Sequence, residues 1–261
     1  MISNQPLIKD LMACVQFLSR LPIPEFLANH DKPDLAKSSR MFPIAGLVIS
    51  APAIIVMMLL GLLDVPSQVI AAVVISIQLV VTGALHEDGL ADCADGFGGG
   101  RNLEDKLAIM KDSHVGAFGV SASIMALVLR FVLLSSFLDI SILAAILALL
   151  SAQLLSRAVQ VAFWQSLPPA RPDGLAGTLG QPDGAAIQWA LAIGIIGAIT
   201  LTFFAFPAIS VFLSMAMTIL AVIAFHLLCK KQINGQTGDT IGAIQIITEI
   251  AFLIGLTTFS L

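Results

Sequence analysis

The chain alternates between long apolar runs and short polar connections, and the runs are too long to be elements of an ordinary soluble core. Segments at about 41–62, 66–85, 117–138, 140–163, 187–206, 207–228 and 242–260 are each close to the roughly 20 residues that carry a helix across a bilayer. Backbone in lipid must satisfy its own hydrogen bonds, so runs of this length predict helices rather than open sheet. The expected fold class is therefore all-α. It is a polytopic integral membrane helical bundle of about seven transmembrane helices. Ahead of them, Leu7, Leu11, Val15 and Leu18 recur at helical spacing, which predicts an N-terminal amphipathic helix at the membrane interface.

The connections divide into two kinds. Those near 63–65, 139 and 206–207 are tiny and hold no Lys or Arg. The segments 1–40, 86–116, 164–186 and 229–241 lie on the opposite side. They carry Lys9, Arg20, Lys32, Lys37, Arg40, Arg101, Lys106, Lys111, Arg171, Lys230 and Lys231. Only Arg130 and Arg157 fall inside spans. This asymmetry places the long segments in the cytoplasm and predicts a membrane protein with one elaborated, cytoplasmic face. Trp164 and Trp189 are expected at interfacial depth beside one loop. The whole chain, 1–261, reads as one membrane-embedded catalytic domain. Its parts are an N-terminal segment 1–40, an acidic loop 86–116 and a C-terminal loop 229–241.

Composition agrees with this reading. The 261 residues are 57 % hydrophobic and 11 % charged, with a mean hydropathy of +0.96, whereas soluble domains carry about 25 % charged residues. Cys14, Cys93 and Cys229 form no CxxC pair, and the four histidines lack HExxH spacing, so neither zinc nor a disulfide framework is indicated. Nothing basic enough for a nucleic-acid surface is present.

The densest polar chemistry follows the second span, in ALHEDGLADCADGFGGGR from position 84. The 86–116 loop carries a net charge of −4, from seven acids and three bases. On a helix, Asp88, Asp92 and Asp95 fall at i, i+4 and i+7 and share one face. Carboxylates that close repel unless a cation neutralises them, and hard oxygen ligands select Mg²⁺ or Mn²⁺. The alternative is a solvated acidic loop. Glu87 points about 100° away from Asp88 and is set aside, whereas His86, immediately before the cluster, is a candidate catalytic group. Gly96 and Gly98 either let backbone N–H groups approach a phosphate or form a flexible turn. Arg101, Lys111 and Asp112 follow on or beside a short helix that either binds phosphate or is simply solvated.

Farther on, NGQTGDTIGA precedes the last span, with Asp239 between glycines. Glu249 lies about a third of the way into that span, where a carboxylate is a functional or helix-pairing candidate. Arg157 either serves the site or snorkels to the interface. Arg130 calls for an acidic partner that the sequence does not name.

Taken together and in order, these residues resemble the cobalamin synthase family, the adenosylcobinamide-GDP ribazoletransferases of vitamin B12 assembly. FLSRLPIP (17–24), FPIAGL (42–47), LHEDGLADCADG (85–96), IMKDSHVGAFG (109–119), SR (156–157) and GQTGDTIGA with Glu249 carry the resemblance. It covers nearly the whole chain. It departs at Glu87, where an apolar residue is common, and at RPDGLA (171–176), where a glycine often follows the leucine.

The resemblance implies a transferase that joins adenosylcobinamide-GDP to α-ribazole or its 5′-phosphate and releases GMP, with Mg²⁺ as cofactor. The family's motifs fall on these same residues, and on this reading catalysis belongs to His86, Asp92 and Asp239, with one carboxylate or His86 accepting the hydroxyl proton, and the metal to Asp88, Asp92 and Asp95. Substrate and phosphate contacts would fall to Gly96, Gly98, Arg101, Lys111, Asp112, Arg157, Arg171, Gln236, Thr237 and Glu249. Membrane lipid is an implied partner and nucleic acid is not. There is room for a homo-oligomer or association with other cobalamin-pathway enzymes. The competing readings are a metal-dependent phosphotransferase of the CDP-alcohol type and a cation transporter. The near-absence of loops on the second face weighs against the transporter.

Overall fold

The computed structural model describes residues 6–23, 34–171 and 174–259. Pro24, His30, Lys32 and the Pro172–Asp173 step of RPDGLA lie outside them. Among the described residues the secondary structure is helical apart from one isolated bridge between Pro169 and Gln236. Six stretches are long and apolar enough to cross a membrane: Leu35–Leu62, Ala117–Ile140, Ile142–Ser166, Gly184–Phe203, Ala208–Ile233 and Gly238–Thr257. A bent pair, Ser67–Thr82 with Leu85–Gly99, makes up to a seventh. The expected bundle is present, with boundaries within a few residues of the hydropathy pattern.

In chain order the helices are α1 (Pro6–Leu18), α2 (Leu35–Ser38), α3 (Phe42–Leu62), α4 (Ser67–Thr82), α5 (Leu85–Gly99), α6 (Leu103–Ile109), α7 (Ala117–Ile140), α8 (Ile142–Ser166), α9 (Leu175–Thr178), α10 (Gly184–Phe203), α11 (Ala208–Ile233) and α12 (Gly238–Thr257). The two innermost, α8 and α12, pack on each other. Around them, α3, α7 and α10 cover α8, while α5 and α11 cover α12. The outer helices turn large apolar side chains such as Ile55, Val132, Ile196 and Leu220 outward, as a lipid-facing surface requires. α1 has its expected amphipathic character. Val15 and Leu18 are buried against α3, Leu7 is exposed, and Asp10 receives hydrogen bonds from Arg40 and Ser38.

The acidic segment is helical but does not continue the second span. Gly83 and Ala84 both adopt left-handed backbone (φ 65° and 56°), and α5 leaves the α4 axis at 87°. A β-carbon at Gly83 would run into the Arg20 guanidinium. The 16 residues of α4 rise about 24 Å, so most of the length this pair offers to a bilayer lies in α4, and α5 runs nearly at right angles to it. The break decides which way the carboxylates face.

A polar network crosses the bundle interior. Arg130 of α7 donates to Glu249 of α12 (2.9 Å), Glu87 of α5 (2.8 Å) and Gln78 of α4 (3.0 Å). Gln153 of α8 and Gln245 of α12 donate to the other oxygen of Glu249, at 2.9 and 2.8 Å. Polar atoms in an apolar interior are costly unless paired, and here each pairing joins different helices or successive turns of one. Arg130 thus has its missing partner. Glu87, set aside on angular grounds, is a member of the network, and Glu249 serves helix pairing rather than an open substrate surface.

Candidate active site

A cavity of about 290 Å³ opens where α5, the start of α12 and the end of α8 meet. Local chain geometry explains how these parts converge. A parallel stitch joins the segment after α8 to the one before α12: Ala170 N–H donates to Gln236 C=O (2.8 Å), and Gln236 N–H donates to Pro168 C=O (2.9 Å). This sets Arg171 beside Asp239, with the guanidinium 3.3 Å from the carboxylate. Thr237 then begins α12 as a reciprocal capping box with Thr240, and its hydroxyl donates to Asp239 (3.1 Å). α5 crosses closely because Gly89 has no side chain; a β-carbon there would sit 2.6 Å from the Asp239 carbonyl oxygen.

The cavity wall is divided by chemistry. One part holds Asp88, Asp239, Arg171 and Lys111, and another holds Phe17, Phe42, Trp164 and Leu179. Asp92 sits one turn along α5 from Asp88 and is half-buried. Burial, followed by the Asp239, Asp88 and Asp95 carboxylates, pushes its carboxyl up to about 7, with Arg171 opposing the shift. Asp92 is therefore the centre of a repelling acidic group that a cation would relieve. Among the described residues no group of three His, Cys, Asp or Glu side chains is placed to hold a metal ion. Mg²⁺ keeps several waters and takes substrate phosphates as ligands, with one or two carboxylates from the protein, so hard carboxylates at an open edge suit it by their chemistry. No metal ion is part of the structure.

The third carboxylate of this group differs from the expected one. Asp95 is buried, and its two oxygens accept N–H bonds from Gly116 (2.7 Å) and Gly119 (2.8 Å) at the start of α7. It fastens the helix N-terminus, where backbone donors and the dipole favour an anion. Asp239, from the other end of the sequence, comes to Asp92 instead.

Several other expectations shift in the same way. Gly96 and Gly98 serve packing and do not cradle a phosphate. A β-carbon on Gly96 would lie 3.0 Å from the Lys106 carbonyl, and one on Gly98 would lie 2.8 Å from the Phe118 ring. Arg157 does not snorkel; it is buried and hydrogen-bonds His86 Nε2. His86 lines the cavity but is held from behind by this cation, so its position suits orienting α5 better than taking a proton. Arg101 is exposed and outside the cavity lining, and Asp112 is occupied with His114 at 2.7 Å on the surface. Lys111, Arg171, Gln236, Thr237 and Asp239 do reach the cavity wall.

Sequence reasoning missed the aromatic part of the wall. Trp164, expected at an exposed interface, is buried and lies 6.4 Å from Phe42 between ring centroids; Phe42 is in turn 6.4 Å from Phe17. Trp189, the other of the pair, is exposed. The conspicuous FLSRLPIP and FPIAGL motifs supply Phe17, Leu18 and Phe42, which is the one signal that pointed here.

With this geometry in place, comparison with known proteins is informative. The family model for cobalamin-5-phosphate synthase matches residues 10–257. The adenosylcobinamide-GDP ribazoletransferase of Sinorhizobium medicae is 44 % identical over 247 residues, covering 94 % of each chain. Enzymes of that name from a Sinorhizobium species and from Rhizobium johnstonii are 46 % and 44 % identical, covering 94 % and 95 % of this chain and 94 % and 96 % of theirs. No solved structure matches. This chain belongs to the cobalamin-5-phosphate synthase family.

Proposed function

We propose that this chain is an adenosylcobinamide-GDP ribazoletransferase of the bacterial inner membrane, working at its cytoplasmic face. A hydroxyl of α-ribazole, or of its 5′-phosphate, attacks the cobinamide-linked phosphorus of the pyrophosphate. The bond from that phosphorus to the bridging oxygen breaks, and GMP leaves. The product is adenosylcobalamin or its 5′-phosphate. Beyond family membership, the reading rests on one feature: a cavity on the basic side of the bundle that sets acids beside phosphate-binding cations. The comparisons favour neither a CDP-alcohol phosphotransferase nor a cation transporter.

One or two of the Asp88, Asp92 and Asp239 carboxylates would hold Mg²⁺, which when bound would neutralise charge on the pyrophosphate oxygens and on the leaving GMP. Arg171 and Lys111 draw in and orient the phosphates from the cavity wall. Asp239 is fixed by Thr237 and Arg171 and faces the cavity, so it is the best-placed acceptor for the hydroxyl proton. The ion pair with Arg171 also links the segment after α8 to α12. The whole chain acts as one catalytic unit, since the wall draws on α1, α5, α8 and α12.

The test is GMP release from adenosylcobinamide-GDP by membranes containing the protein, with and without α-ribazole. Release that depends on α-ribazole and is lost in Asp239→Asn supports the reading. Release independent of α-ribazole, or ion flux through the protein in liposomes without transfer, would overturn it.

A further inference from the structure

Buried polar atoms are rarely left unpaired, and those that are tend to mark a place where something else binds. In this bundle they concentrate at the cavity. Trp164 Nε1, Arg171 Nε and both amide atoms of Gln236 are buried without a hydrogen-bond partner among the described residues, and all three residues line it. Gln236 is fully buried and Trp164 is 2 % exposed. Leaving such groups unpaired is costly, so the pocket is set up for a ligand that completes them.

The chemistry of that ligand follows from the wall. The Trp164 end is mostly apolar, formed by Phe17, Leu18, Phe42, Leu179 and Ile241, with Gln160 one turn away on α8 as the polar exception; its amide oxygen accepts from Arg157 (3.3 Å). A planar, largely apolar ring with one exposed ring nitrogen would bury its faces there and accept the single indole N–H. A guanine would carry in several adjacent donors and acceptors, more than the Gln160 amide beside these apolar side chains could pair. The volume of about 290 Å³ lies at the small end of ligand pockets, nucleoside-sized and too small to enclose a corrinoid. The Gln236 amide offers both a donor and an acceptor, as a sugar hydroxyl pair requires.

We infer that this cavity is the subsite of the acceptor nucleoside: Trp164 donates to the unsubstituted nitrogen of the α-ribazole base, and Gln236 engages its sugar hydroxyls. The inference rests on the transferase reading above and deepens it. The nucleoside hydroxyl then emerges beside Asp239 and Arg171, where the pyrophosphate is held, while the corrin and guanosine parts remain outside the cavity.

The test pairs variants with an altered nucleoside. Trp164→Phe keeps an aromatic wall and removes the N–H, so kcat/KM for α-ribazole should fall about tenfold, one neutral hydrogen bond, with KM for adenosylcobinamide-GDP unmoved. An analogue whose ring nitrogen is replaced by C–H should be discriminated against by the wild type and no longer by Trp164→Phe. Gln236→Leu should also weaken α-ribazole, but with discrimination against the analogue intact. A merely structural role would affect both nucleosides equally, and that result overturns the assignment. So does a Trp164→Phe effect confined to the corrinoid nucleotide, which would put guanine in the cavity. Equilibrium dialysis of α-ribazole with the purified protein separates the two claims. Binding that depends on Trp164 without GMP release keeps the subsite and rejects the transfer reading. GMP release with no dependence on Trp164 rejects the subsite alone.

Discussion

The Arg130 guanidinium and the Glu249 carboxylate lie 2.9 Å apart, one from α7 and one from α12, and both are buried. Glu87 completes the pairing from the first turn of α5 at 2.8 Å. The helix that carries the acidic cluster is thus tied into the bundle interior by a two-carboxylate clamp on one cation. Removing one partner of a buried pair leaves the others charged and unpaired, at a cost of about 3–5 kcal/mol. Arg130→Met should therefore reduce the amount of folded protein in membranes and its thermal stability in detergent. Adding Glu249→Gln to that variant should restore much of the loss, because Glu87 then balances the one remaining buried cation, Arg157. A stable Arg130→Met single variant would show that the clamp contributes little.

Asp88 and Asp95 share a helix face and yet should behave differently. Asp95→Ala removes charge-assisted bonds to two backbone N–H groups, worth about 1.5–3 kcal/mol each, and frees the start of α7. Faster amide hydrogen exchange near residues 113–120 would report it, along with lower stability. Asp88→Ala, at an exposed position on the cavity wall, should leave stability within about 0.5 kcal/mol while abolishing GMP release. Equal effects of the two substitutions on both readouts would argue against this division.

Gly89 offers a test of geometry. Its substitution by Ala places a β-carbon 2.6 Å from a backbone carbonyl of α12, which the rigid partner cannot yield without moving. Gly89→Ala should insert normally and lose at least about tenfold in activity, since displacements of ~1 Å at a reacting centre carry penalties of that order or larger. Near-wild-type activity would mean that α5 and α12 need not meet so closely.

The acidity of Asp92 gives a pH signature. Its carboxyl is pushed up to about 7 by burial and by the neighbouring carboxylates. Below that pH it holds a proton, which competes with a cation; above it the carboxylate is free. The Mg²⁺ concentration for half-maximal GMP release should therefore rise as pH falls from about 8 to 6, and a chelator should abolish release at every pH. A half-saturating concentration independent of pH would remove Asp92 from the metal-binding group. Asp92→Asn should flatten whatever dependence is measured.

Much of the architecture was legible in the sequence. The hydropathy runs mark α3, α4, α7, α8, α10, α11 and α12, because lipid demands a continuous apolar helix and tolerates few exceptions. The i, i+4, i+7 spacing put Asp88, Asp92 and Asp95 on one helix, which α5 confirms. What the spacing could not supply was depth or neighbour. It gave no sign that Asp95 turns to α7, that Glu87 turns inward, or that the chain bends sharply at Ala84, a residue with no special preference for left-handed backbone.

The remaining relationships join distant residues. Asp239 comes beside Asp92, Arg130 meets Glu249 across 119 positions, and Trp164 leaves the interface for the cavity wall. Local periodicity is set by the geometry of one helix, so the sequence by itself determined which segments are helical, which side bears the cations and which motifs carry chemistry. Only the tertiary structure decided which of those groups touch. Partners are chosen when helices pack, and a buried charge takes whichever opposite charge the packing brings within hydrogen-bonding distance.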